Sequence, residues 1–313
     1  MLDYFKIGHY TDKESGTGVT VILPKKDAVC GCSVRGYAPA TRETELLRDD
    51  KTVQKVNAVV LSGGSAFGLE SDCGVVDYLR EQNIGFNTGK FNVPIVVGAS
   101  IYDLEYKKFN YPDKTAGYLA CKNAKTNNFE QGEIGGATGA TISKVLGAKY
   151  AIKTKLGISN LKLNGIEIAV ITVVNALGDV VKDGKIIAGA KTENGEYLDC
   201  KKIFSMGSIP CKKSNTTIGC IITNAKLTKQ QANILCSLAH DGYATSLSPS
   251  HTLFDGDCMF LMSSDEKEIE FNMLTAIIPD LTAQSIQSSV TNINENETRV
   301  NGIMFKAIQK MFK

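Results

Sequence analysis

Short apolar runs alternate along the chain with polar or glycine-rich punctuation. Val19 to Leu23 and Ala28 to Val34 read as strands split by the polar turn Lys25-Lys26-Asp27. Val56 to Leu61 reads as a short buried strand running into Ser62-Gly63-Gly64-Ser65-Ala66-Phe67-Gly68. A helix is expected next, because Leu69, Cys73, Val76 and Leu79 would share one face and Asn83 to Gly85 supplies a stop. Pro94 to Leu104 is a further predicted strand, and Gly135-Gly136-Ala137-Thr138-Gly139-Ala140 is expected to lead into a short helix ending near Gly147. Strands recur at Tyr150 to Leu156, Glu167 to Ala176 and Ile186 to Ala190. Thr216 to Thr223 is apolar and β-branched, the mark of a buried strand. Thr228 with Gln231 forms a capping box for a helix carrying Ile234, Leu235, Leu238 and Ala239. Cys258 to Met262 reads as a strand, and the rest is mostly helical, with Ile303, Ala307, Ile308 and Met311 on an apolar face. Strands and helices are interspersed without strict βαβ alternation, which predicts a mixed α/β or α+β domain built on substantial sheets.

Composition narrows the function classes. At 313 residues the chain can bury a large core without staples. Lys plus Arg number 35 against 33 Asp plus Glu, so net charge gives no reason to expect nucleic acid or an acidic membrane surface. No window approaches the roughly 18 apolar residues of a membrane span, and the start, Met1 to Lys6, lacks the pattern of a signal peptide. Nine scattered cysteines, an odd number, read as reduced thiols of a cytoplasmic protein. The close pair Cys30-Gly-Cys32 would put both thiols on one face of a strand, but the histidines at 9, 240 and 251 show no ligand spacing with it, so structural thiols are preferred to a metal.

Several motifs carry candidate chemistry. The Ser62 to Gly68 segment lacks the glycine two residues after Ser65 that a nucleophile elbow needs, and it has no phosphate-loop ending; it reads as a strand-to-helix turn that could wall a site. Gly135 to Gly139 likewise does not specify a dinucleotide. At Ser214-Asn215-Thr216-Thr217-Ile218-Gly219 a polar loop, Pro210 to Asn215, meets an apolar strand. A cut between Asn215 and Thr216 would leave Thr216 with an α-amine beside its own hydroxyl. Such an amine has a pKa near 8 and can serve as the base that a threonine hydroxyl lacks. The same hydroxyl could make the cut; standing alone, however, Asn-Thr at such a junction is an ordinary turn. In His251-Thr252-Leu253-Phe254-Asp255-Gly256-Asp257 two carboxylates could converge if Gly256 kinks the chain, giving coupled proton affinities, or the segment is a plain turn before a strand. His251 reads equally as a general base or as packing. Tyr102 and Asp103 end an apolar run, Lys144 falls on the predicted short helix, and Asn175 interrupts a Val/Ile strand where a buried amide would need partners.

Taken in order, these segments resemble the DmpA-type aminopeptidases, a family that includes β-peptidyl aminopeptidases and the nylon-oligomer endo-hydrolases. The resemblance runs from Gly16 to Val21 and Val34 to Leu47, through Leu61 to Leu69, Val93-Pro94-Ile95-Val96, Gly136 to Thr141 and Val174 to Val180, to Asn215-Thr216-Thr217-Ile218-Gly219, Ala239-His240-Asp241-Gly242 and His251 to Asp257. It implies a four-layer αββα sandwich shared with the ornithine acetyltransferases, and a single precursor that cuts itself before the nucleophile. Here that implies autocleavage between Asn215 and Thr216, giving fragments 1–215 and 216–313 of one hydrolase domain. Thr216 would form an acyl-enzyme on amide substrates, Asp255 and Asp257 would orient it, Asn175 would help hold the oxyanion, and Lys144 and Tyr102 fit the site lysine and tyrosine. The resemblance further implies a homotetramer, no cofactor, and a small peptide or amide as substrate. Asn224 departs from the acidic residue usual in the family, with an expected effect on support or specificity more than on chemistry. Asp103 and Glu133 are candidate partners for a substrate amine. An acyltransferase using the same nucleophile, and a non-catalytic relative, are the alternatives.

Overall fold

The computed structural model describes residues 2–207 and 215–291 and the two-residue strand Arg299–Val300. Residues 210–214 of the loop before Thr216, and the apolar face expected over Ile303 to Met311, lie outside the described residues.

Two six-stranded sheets stack face to face. The first contains β1 (Phe5–Asp12), β2 (Thr17–Pro24), β4 (Ala58–Ser62) and β5 (Val96–Ser100), in the order β1-β2-β4-β5, with two-residue strands at both edges. The second runs β6 (Gly157–Leu163), β7 (Ile166–Asn175), β8 (Thr216–Ala225), β9 (Cys258–Lys267), β3 (Ala28–Val34), and ends on Lys55–Val56. The pair β8–β9 is parallel, while β7–β8 and β9–β3 are antiparallel.

Period-two alternation distributes the side chains. On β7, Ala169, Ile171 and Val173 face the space between the sheets, as do Ile218, Cys220 and Ile222 of β8 and Cys258, Phe260 and Met262 of β9. Their neighbours Ile168, Val170, Ile221, Met259 and Leu261 face outward onto the helices α3 (Lys229–Ser246) and α4 (Phe271–Ser288). On β2 the outward residues Val19, Val21 and Leu23 meet α1 (Ser71–Glu81) and α2 (Lys114–Lys122), while Ile22 faces inward. Covered on both sides, β8 is buried along its whole length, which is why its sequence is a continuous apolar and β-branched run. The layers are therefore helix, sheet, sheet, helix, the αββα arrangement expected.

The expected capping box forms at the start of α3: the Thr228 side chain accepts from the Gln231 amide, and the Gln231 side chain accepts from the Thr228 amide. Four local expectations are corrected. Gly135 to Gly147 contains no α-helix but a single 3-10 turn, Gly135–Ala137, and the short strand Thr141–Ile142, so Lys144 sits on irregular backbone. The physical reason is long-range: the Lys153 ammonium bonds the carbonyls of Ala137 and Ala140, and Gly136 packs so closely that a Cβ there would stand 2.5 Å from the Leu61 carbonyl oxygen. The strand expected from Pro94 to Leu104 shrinks to Val96–Ser100, and the one expected from Tyr150 to Leu156 shrinks to Ile152–Lys153. Finally, of the predicted stripe α1 buries only Leu79 fully, leaving Leu69, Cys73 and Val76 half-buried and burying Asp72 and Val75 instead, because it packs on α2 backbone to backbone through Gly74 and Gly117.

Candidate active site

Sheet register assembles the candidate residues. In the β7–β8 ladder Asn175 stands opposite Thr216, and in the β8–β9 ladder Ile218 stands beside Cys258. The three residues before Cys258 therefore run alongside the start of β8. Asn215 extends this pairing, donating its N–H to the Phe254 carbonyl at 2.7 Å and accepting the Gly256 N–H on its own carbonyl oxygen at 2.7 Å. The Thr216 hydroxyl donates to the same carbonyl oxygen at 2.5 Å. Asn215 and Thr216 are 0% and 2% exposed, so the bond joining them is enclosed.

Both carboxylates of the Asp-Gly-Asp segment are buried and engaged. Asp257 accepts the Thr217 N–H on Oδ1 at 2.7 Å, and on Oδ2 it meets the His251 ring Nδ1 at 2.7 Å and the His251 N–H at 3.2 Å. The His251 ring stacks on Tyr243 and stands edge-on to His240. Asp255 accepts the Thr252 N–H and hydroxyl on Oδ2 at 2.8 and 2.6 Å, while its Oδ1 takes no hydrogen bond from the described residues. Burial raises the Asp255 carboxyl to about 6, the nearby Asp257 charge adds to this, and Lys144 opposes it. Neither a kink nor a turn is centred on Gly256: the turn lies at Leu253 and Phe254, closed by the Asp255 N–H on the Thr252 carbonyl. Glycine is required for clearance instead. A Cβ on it would stand 2.8 Å from Thr216 Oγ1 and 2.6 Å from the Ala38 carbonyl oxygen.

Asn175 and Lys144 form the other side. The buried Lys144 ammonium donates to both the carbonyl and Oδ1 of Asn175 at 2.8 Å, and the Thr141 N–H donates to the same Oδ1 at 3.1 Å. With its oxygen so held, the Asn175 amide must point Nδ2 the other way, where it donates to the Tyr102 carbonyl at 3.0 Å. Tyr102 thus joins the cluster through its backbone. Its hydroxyl bonds Glu105, and its side chain lines a small cavity of about 70 Å³ with Thr141 and Lys144.

The two candidates for binding an amine do not share one setting. Asp103 is 5% exposed, with one oxygen accepting the Gly64 N–H and the other the Thr17 hydroxyl, so it braces the Ser62 to Gly64 turn. Glu133 is exposed. Asn224 accepts the Glu167 N–H and donates to the Gly165 carbonyl, tying the far ends of β7 and β8; a carboxylate could make only the first bond, so the departure serves support. Sequence reading overlooked Thr252 altogether and saw no partner for His251. Only their offsets from Asp255 and Asp257, three and six residues, could have signalled them.

Comparison with known proteins shows the family and the fold. The model of peptidase family S58 matches residues 4–308. An uncharacterised aminopeptidase of Mycobacterium tuberculosis is 33% identical over 279 residues, covering 83% of this chain and 79% of its own. The 6-aminohexanoate-oligomer endohydrolase of Paenarthrobacter ureafaciens is 30% identical over 269 residues, covering 83% and 72%. Among solved structures, the L-aminopeptidase D-Ala-esterase/amidase of Ochrobactrum anthropi, described as a variant of the Ntn hydrolase fold, superposes with a TM-score of 0.66 over 99% of this chain and 92% of its own, at 16% identity. A Burkholderia β-aminopeptidase does so equally well at 15% identity, covering 98% and 90%.

Proposed function

The chain belongs to peptidase family S58 and is a hydrolase of peptide or amide bonds, and from that premise we propose that it is made as one precursor which cuts itself between Asn215 and Thr216 and then works through the freed threonine. The observation that carries this reading is the hydroxyl of Thr216, held 2.5 Å from the carbonyl oxygen of the preceding residue. In the cut, Thr216 Oγ1 bonds the Asn215 carbonyl carbon, the Asn215–Thr216 C–N bond breaks, and the hydroxyl proton ends on the departing amine. Water then hydrolyses the resulting ester, leaving Asn215 as a carboxyl terminus and Thr216 with a free amine and hydroxyl.

That amine becomes the base for substrate. Asp257 grips the Thr217 N–H and so fixes the residue behind the nucleophile, while Asp255, its Oδ2 held by Thr252, keeps Oδ1 as an acceptor. Lys144 and Thr141 lock the Asn175 amide so that its N–H side serves the substrate oxyanion. The substrates that fit the reading are small peptides or ω-amino-acid amides, by likeness to relatives named aminopeptidase and 6-aminohexanoate-oligomer endohydrolase. The enzyme would be a cytoplasmic homotetramer acting without a cofactor.

Intact mass under denaturing conditions tests the first step: scaling by chain length gives fragments of about 23 and about 10.5 kDa, with Thr216 at the new terminus. Thr216→Ala should yield one uncut chain and no hydrolysis of β-alanyl p-nitroanilide or of 6-aminohexanoate dimer amide; persisting hydrolysis would overturn the assignment.

A further inference from the structure

We infer that the backbone N–H of Gly256 is the oxyanion donor for the chain's own cleavage. The inference rests on the self-cutting reading above and adds the group that stabilises its transition state. Attack by Thr216 Oγ1 moves the π electrons of the Asn215 carbonyl onto its oxygen, and that charge needs a donor already aimed at it. The Gly256 N–H is 2.7 Å from this oxygen. Nothing must move for it to act, because its two flanking residues are pinned: Asp255 through Thr252, and Asp257 through Thr217 and His251. The carbonyls of Asp255 and Asp257 are held as well, by the N–H groups of Ala38, Arg35 and Gly36. The enclosure of Asn215 and Thr216 keeps water from competing for the bond.

The same placement explains why a glycine sits between the two aspartates. Any side chain would enter the space of the attacking hydroxyl, since even a Cβ would stand 2.8 Å from Thr216 Oγ1. The residue must therefore bring its N–H to the carbonyl oxygen while leaving the hydroxyl free to reach the carbonyl carbon, and only glycine does both. Asn175 stands across the β7–β8 ladder from Thr216, so the amide assigned to substrate comes from β7 and the N–H assigned to self-cleavage from the segment leading into β9.

The donor can be deleted without adding an atom. Cell-free translation with glycolic acid at position 256 replaces the N–H by an ester oxygen in an otherwise full-length chain, and is compared with the all-amide chain made in the same way. The expected result is cutting slowed by about a hundredfold to a thousandfold, the usual cost of losing one oxyanion donor. Cutting within threefold of the all-amide rate would overturn the inference, whereas an all-amide chain that never cuts would overturn the self-cutting reading beneath it. Should the ester chain fold poorly, hydrogen exchange in the Thr216→Ala chain decides instead. A Gly256 amide among the slowest to exchange supports the assignment, and rapid exchange at that amide refutes it.

Discussion

Replacing Asp255 by Asn should stabilise the uncut protein while abolishing its chemistry. The carboxyl is raised in the folded state from 3.8 to about 6, with burial the main cause and Asp257 the second. A raised carboxyl binds its proton more tightly folded than unfolded, so ionisation opposes folding, and the penalty grows as pH rises through that interval. A rise from 3.8 to about 6 corresponds to about 3 kcal/mol at pH 7.5, falling to about 1 kcal/mol at pH 4.5, where the folded group is already protonated. Asparagine escapes the penalty and keeps an oxygen for the Thr252 N–H and hydroxyl. The comparison is made in the Thr216→Ala background, so that both proteins are single uncut chains, by urea unfolding at the two pH values. Asp255→Asn should raise the unfolding free energy by about 3 kcal/mol at pH 7.5, and most of that gain should be gone at pH 4.5. In the Thr216 background the same change should leave the chain uncut. A variant no more stable at pH 7.5, or one whose advantage is the same at both pH values, would refute the electrostatic account of Asp255.

Lys144→Met removes two 2.8 Å bonds to Asn175 and the positive charge that favours ionised Asp255, so cutting should slow at least about tenfold, and its acid limb should move to higher pH. A slower cut with an unmoved limb in a pH series would detach Lys144 from Asp255. His251→Leu leaves Asp257 Oδ2 without its ring partner and should cost about 1.5–3 kcal/mol in urea unfolding, much of it restored in His251→Asn, which keeps a donor. Equal losses in the two variants would mean that the ring matters through its packing on Tyr243 and His240 alone.

The parts of this fold legible in sequence are those whose burial is local in pattern. Strands β2, β3, β7, β8 and β9 announce themselves because an alternating or continuous apolar run suits a strand covered on one or both faces. The capping box is a contact between residues three apart and is equally readable. What escaped depends on distant partners. Gly135 to Gly147 has helical-looking spacing, yet the Lys153 ammonium and the Leu61 carbonyl decide its path. Strand β1 was missed because Gly8 and His9 break its apolar pattern; Gly8 is there so that β1 can lie against α2, where a Cβ would meet the Ala120 carbonyl oxygen at 2.0 Å. At the site, Asn175, Lys144, Asp255 and Asp257 could be nominated from the family's motif order, but their contacts arise from strand register, which no single segment encodes. Gly256 illustrates the limit: its identity invites a kink, and only the neighbouring strand reveals that it is there for room.

The order of strands in the second sheet has a consequence for how such a protein can be handled. Within it β8 and β9 lie side by side, with β7 against one flank and β3 against the other. After the bond before Thr216 is broken, the smaller piece would be dovetailed into the larger, and neither could leave without unzipping two ladders at once. On the proposed reading assembly would also come first, since Thr217 meets Asp257 only after 40 residues have been threaded into place. Scission would then act as a molecular receipt for correct folding: on a denaturing gel, the proportion of broken chains counts the molecules that reached their finished architecture, with no substrate needed.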